Sequence, residues 1–194
     1  MPAMPDTPGL GEAIVEGLYR FAEAPDGPSK RATILFSGTA HLAAQAAAAD
    51  LAEHYDVAAE LWSATSYKAL REEALATERW NRLHPSQEQR TPRVAQLLAD
   101  SSGPITAVTD FMMAVPDQVR RFLPDRTFTV LGTDGMGRSD TREALRHHFE
   151  VDAGHVVVGV LSGLLAEGAV DAAIVEDAIA RYDIDPDAAD PRYA

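Results

Sequence analysis

Four short runs of the chain are apolar or β-branched almost throughout: RATILFS (31–37), VAAELWS (57–63), PITAVTD (104–110) and RTFTVLG (126–132). Runs of this length without polar alternation predict strands covered on both faces. Between and after them, apolar positions return at helical spacing. Ile14, Val15, Leu18 and Tyr19 predict a short amphipathic helix within 9–20, running into a strand near Tyr19–Ala24. PDGPS (25–29) is turn chemistry, and a reversal there predicts a hairpin of that strand with 31–37. An alanine-rich helix follows, with Ser37 or Thr39 as its cap; a longer one begins at Thr65 or Ser66. RVAQLLAD and DQVRRFL give short helices, and three more are expected over about 140–148, 153–167 and 170–181. Strands alternating with helices predict an open, mostly parallel α/β sheet of about five strands. One edge strand is antiparallel in this reading, and helices cover both faces. The domain spans 9–185, after a proline-rich arm or linker (1–8) and before a tail (186–194) loose by composition.

Composition narrows the function classes. Thirty acidic against 17 basic residues leave a net charge of -13, which argues against a broad nucleic-acid or anionic-membrane surface. Without cysteine there is no disulfide, thiolate chemistry or cysteine-held metal. No uninterrupted apolar run approaches the ~20 residues of a membrane span, and the first residues do not form a secretory signal. The expected location is the cytoplasm.

LGTDGMGRSDTREALRHHFEVD (131–152) is the segment that most invites a chemical reading. Strand, glycine loop and helix are the context of a dinucleotide site, but Asp140 stands where the third glycine of G-x-G-x-x-G belongs. No acidic residue closes a strand about 20 positions later. The glycines then serve a tight turn, and Ser139 or Asp140 caps the next helix. His147 and His148 point about 100° apart on a helix and cannot chelate one ion as a pair; His41, His54, His84 and His155 show no ligand spacing. FSGTAH (36–41) lacks the frame of a nucleophile elbow, and there is no P-loop. From residues alone, this is an α/β domain without a self-contained catalytic kit.

ERWNRLHP (78–85), the 131–158 segment through GHVVV, and AIARYDIDPDAADPR (178–192) together resemble one family. It is the C-terminal domain of the homodimeric, bacterial-type first component of pyruvate dehydrogenase, within the transketolase-like superfamily. MPAMP, GLYRF, ATILFSGTAHLAAQAAAADLAEHYDV, SATSY and VTDFMMAVPDQVRRFLP fall in the same order as in that family, so the resemblance covers almost the whole chain.

The resemblance implies an enzyme that uses thiamine diphosphate and magnesium to decarboxylate pyruvate. The two-carbon unit then passes to the lipoyl group of dihydrolipoyl acetyltransferase or, in a diverged enzyme, to an acyl-carrier protein. The family's diphosphate motif, G-D-G followed later by asparagine, has only Thr133-Asp134-Gly135 as a counterpart, and Asn81, the sole asparagine, precedes it. The resemblance therefore places cofactor, metal and catalytic residues in other domains. This chain is then expected to be a scaffold, either an excised domain or a split subunit, inert alone and part of a homo-oligomer. Ser37, Gly38, Thr39, Asp134, Arg138, Ser139 and Arg142 are the candidate domain-interface or anion contacts. The helix VVVGVLSGLL packs the sheet or a subunit contact. The alternative is a free-standing module binding a small anion or nucleotide in the crevice at the strand carboxyl ends.

Overall fold

A computed structural model describes residues 8–193; the expected arm lies outside them except for Pro8. Five strands, β1 (Leu18–Ala22), β2 (Lys30–Phe36), β3 (Val57–Ala64), β4 (Ile105–Val108) and β5 (Phe128–Leu131), lie in the order β1-β3-β2-β4-β5. Neighbours are parallel except β1, which runs antiparallel to β3. The helices are α1 (Leu10–Glu16), α2 (His41–His54), α3 (Tyr67–Leu83), α4 (Arg93–Leu97), α5 (Ala114–Arg120), α6 (Arg142–His148), α7 (Ala153–Ala166) and α8 (Ala172–Arg181).

The unbroken apolar runs have the expected cause. Ile34 and Phe36 of β2 face a core shared with α2, α7 and α8, while Leu35 between them faces Tyr67, Leu70, Val94 and Val119 of α3, α4 and α5. Both faces are covered, so period-two alternation carries no polar signal. The small side chains of α2 let it lie close to the sheet: Ala43, Ala44 and Ala47 are buried.

The antiparallel edge strand is present, but the expected hairpin with β2 is not. β1 pairs instead with the far edge of β3, with Leu18 opposite Ala64 and Arg20 opposite Trp62, and the register shifts between Arg20 and Ala22. The physical reason is that β2 is hydrogen-bonded on both edges, to β3 and β4, which leaves no ladder for β1 to join. β1 is anchored at its start, where the Gly17 carbonyl accepts from the amides of Thr65 and Ser66. Of the two expected caps there, Ser66 accepts from the Ala69 amide, while the Thr65 hydroxyl donates to the Ile14 carbonyl.

α7 packs the sheet: Val156, Val157, Val160, Leu161 and Leu164 are buried in the core. Arg142–Ala166 is long and apolar enough on composition to compare with a membrane span, but half of its most apolar window is buried in the fold. The helix is also broken between His148 and Ala153. It is a core helix. Residues 183–193, loose by composition, are seated by turns and by Pro191, which is buried.

The close approach of α7 to the sheet depends on its glycines. A Cβ at Gly163 would lie 2.6 Å from Cβ of Pro104, so Gly163→Ala should lose about 1–3 kcal/mol to overpacking. That exceeds the roughly 1 kcal/mol alanine gains in helix propensity. Gly11→Ala on α1, where a Cβ meets nothing within 4 Å, should not destabilise. Urea unfolding of the two variants checks the contrast.

Candidate functional site: the crevice at the strand carboxyl ends

From β2 the chain goes outward to β3, then crosses back to β4 on β2's other side. The loops after β2 and β4 therefore part company, and the gap between them is where an open α/β sheet offers a crevice. A cavity of about 360 Å³ occupies it. Its floor is apolar, with Ala40, Leu145, Phe149 and Val151; its rim carries Thr39, Asp110, Thr133, Asp140, Arg142 and Arg146.

The walls are tied together by short-range polar contacts. The buried Ser37 hydroxyl lies 2.6 Å from that of Thr109, which also accepts from the Phe111 amide. Ser37 therefore does not cap α2 by its side chain, and neither does Thr39. Instead the Thr39 amide donates to the Asp110 carboxylate at 3.1 Å. Gly38, at φ 58°, is required here, because a Cβ would collide with that carboxylate. The Arg146 guanidinium reaches the Thr39 carbonyl at 3.3 Å, joining α6 to the β2 loop.

The expected contact residues separate into three groups. Thr39 and Arg142 line the cavity, with Ser37 and Gly38 forming the turn beneath it. Asp134 is engaged within the domain: its carboxylate accepts from the Met113 amide at 2.6 Å and locks the β5 loop to the segment before α5. Gly135, at φ 109°, leaves room for the Pro191 carbonyl, which a Cβ would strike. Arg138 and Ser139 are exposed and do not line the cavity. The cap of α6 is neither Ser139 nor Asp140 but Thr141, which accepts from the Ala144 amide, while Asp140 accepts from the amide of Thr141.

TDFM (109–112) and GTDGMGRSD (132–140) are expected at this crevice in a parallel sheet, and Asp110 and Thr133 do line it; Arg146, from α6, is the rim residue the sequence does not point to. Phe111, Met112 and Met136, on the same loops, are each more than half exposed.

The histidines also need correction. His148 packs edge-on against Phe149, as helix geometry requires, but His147 turns to Asp152 at 2.9 Å. His155, which shows no ligand spacing in the sequence, places Nδ1 2.8 Å from the same carboxylate. The available signal was the Asp-x-x-His at the start of α7, where Asp152 also accepts from the His155 amide. Burial pushes the Asp152 carboxyl upward, but hydrogen bonds from the His155 ring and amide, the charge of His155 and the His147 ring outweigh it and hold the group at about 2.

With this geometry established, the family model described as the transketolase-like TK C-terminal domain matches residues 17–152. The chain belongs to that family. Among members of known name, it is 44% identical over all 194 residues to the pyruvate dehydrogenase E1 component of Escherichia coli K12, covering 21% of that protein. Against the E1 component of Mycolicibacterium smegmatis it is 46% identical over 184 residues, 95% of this chain and 20% of the relative. The chain thus spans about a fifth of the length of these relatives. The fold is shared with transketolase solved with sedoheptulose 7-phosphate from Pichia stipitis, at TM-score 0.54, 14% identity, and coverage of 88% of this chain and 21% of the other. A split-gene transketolase solved as an inactive β4 tetramer gives TM-score 0.51 at 18% identity, over 77% of this chain and 42% of the other.

The hydroxyl pair at the crevice floor gives a stability test. Thr109→Val leaves the Ser37 hydroxyl and the Phe111 amide without their buried partner and should lose about 1–3 kcal/mol. Ser37→Ala combined with Thr109→Val should lose less than the two single changes added, as denaturant unfolding of the four proteins will show.

Proposed function

We propose that this chain is the C-terminal scaffold domain, or a separately encoded C-terminal subunit, of a thiamine diphosphate-dependent pyruvate dehydrogenase first component. The observation that carries the reading is similarity along the entire chain to one fifth of such components. In the assembled enzyme, pyruvate is decarboxylated and the two-carbon unit passes to a lipoyl group on dihydrolipoyl acetyltransferase or to an acyl-carrier protein. We place this assembly in the cytoplasm and its thiamine-bearing domains in a homo-oligomer with this one.

Thiamine diphosphate and magnesium belong to the partner domains in this reading. The nearest counterpart of the diphosphate motif does not fit the group: Asp134 is engaged by the Met113 amide, and the Pro191 carbonyl covers Gly135. Bond-breaking residues are therefore assigned elsewhere, and this domain's work is to hold its neighbours in register. The face best suited to that work is the strand-end edge, where Phe111, Met112 and Met136 are exposed beside Arg138 and Arg142. Apolar groups of this size flanked by charge mark docking surfaces.

A second reading is supported by the crevice alone: Arg142 and Arg146 over an apolar floor suit a small anion or nucleotide. Under that reading inorganic phosphate or a mononucleotide should raise the melting temperature with no partner present.

Two outcomes test the first reading. The isolated chain, given thiamine diphosphate, magnesium and pyruvate, should release no carbon dioxide, and adding the thiamine-binding domains should restore release. Arg138→Glu combined with Arg142→Glu should weaken that co-assembly about tenfold or more in sedimentation velocity, with the chain's own melting temperature unchanged. Turnover by the chain alone would refute the scaffold role, and assembly indifferent to both reversals would refute the docking face.

A further inference from the structure

We infer that His147, Asp152 and His155 form a binding site for one divalent transition-metal ion at the corner between α6 and α7. Each residue offers one donor atom, a ring nitrogen or a carboxylate oxygen, and the three lie within 4.8 Å of one another. The Nδ1 atoms approach the carboxylate from two sides, at 2.9 Å for His147 and 2.8 Å for His155. The rings stand 5.1 Å apart at 64° to each other, so neither stacks on the other, and their Nδ1 atoms meet the two oxygens of one carboxylate.

The donor set selects the class of ion. Two imidazoles and one carboxylate suit zinc, cobalt or nickel, whereas magnesium and calcium favour all-oxygen shells. Bonds of about 2.0–2.2 Å around a tetrahedral ion hold neighbouring donors about 3.3 Å apart, so each imidazole has to retreat from the carboxylate by about half an ångström. That adjustment is easiest on the exposed side. His155 is 11% exposed and Asp152 28%, both fixed at the start of α7, while His147 is 51% exposed at the end of a two-turn helix. The exposed side is also the entry path.

The fourth position of a tetrahedral ion is open to water. Glu143 stands four residues before His147 on α6, hence on the same helix face, and borders the same surface groove as His147 and Asp152. α6 then offers carboxylate and imidazole at i, i+4, and α7 offers carboxylate and imidazole at i, i+3. The His155 amide, bonded to Asp152, fixes the central carboxylate as an outer-shell partner would. Net charge of -13 favours cation approach to the whole molecule.

The test uses the full chain after treatment with a chelator. Zinc alone, followed by titration calorimetry, should bind at one ion per chain. Cobalt should give the intense visible bands of a four- or five-coordinate ion rather than the weak bands of an octahedral one. His147→Ala and His155→Ala should each weaken zinc binding about a hundredfold, no less than loss of an outer-shell partner costs, with circular dichroism unchanged. His147 is half exposed, so its replacement decides the matter even if His155→Ala fails to fold. Zinc affinity unaffected by His147→Ala, an octahedral cobalt spectrum, or no saturable uptake would each overturn the site and leave the two histidines as hydrogen-bond partners of a helix cap.

Discussion

Everything in this domain is arranged around the satisfaction of β2 on four sides. Its backbone is bonded to β3 on one edge and β4 on the other, and its side chains alternate between two cores. A strand so enclosed fixes the direction of its parallel neighbours, because each has to return through a helix packed on one face or the other. It also fixes where the chain changes direction across the sheet, and therefore where the crevice opens. Ser37, at the last turn of β2, then meets Thr109 at the end of β4, and their hydroxyl contact holds the two diverging loops at one distance.

From that junction the polar architecture spreads outward in pairs of backbone and side chain. Asp110 holds the start of the Gly38–Ala40 turn, and Asp134 holds the segment leading into α5. Neither carboxylate is available as an isolated charge. The arginines differ: Arg142 is exposed at the cavity rim, and Arg146 reaches the Thr39 carbonyl. The strand-end face consequently presents cationic groups and bare apolar side chains beside Asp110 and Asp134, which are engaged by backbone amides, and the exposed Asp140.

The strands were legible because long apolar runs leave few alternatives, and the caps at Ser66 and Thr141 show how local signals succeed or slip by a residue or two. Ser66 was one of two candidates, whereas Thr141 lay just past the pair considered. The hairpin was not legible. PDGPS does turn the chain, but the turn is indifferent to which strand is joined, and competition for the edges of β2 decided the outcome. The site followed the same division. Gly38, Thr39 and Arg142 were visible as a loop next to a strand, while Arg146 reaches it only from α6. The meeting of His147 and His155 depends on the corner at Phe149–Asp152, and adjacency to His148 drew attention to the wrong partner.

The two outer strands bear on how such a piece behaves apart from a larger assembly. Open rows of amides and carbonyls at a sheet margin invite a second chain to add on, the usual route to fibrous association. Here one margin, β1, is interrupted by the shift at Arg20–Ala22 and carries a cation, and the other, β5, is only four residues long. Neither margin therefore presents a long, unbroken template for polymerisation.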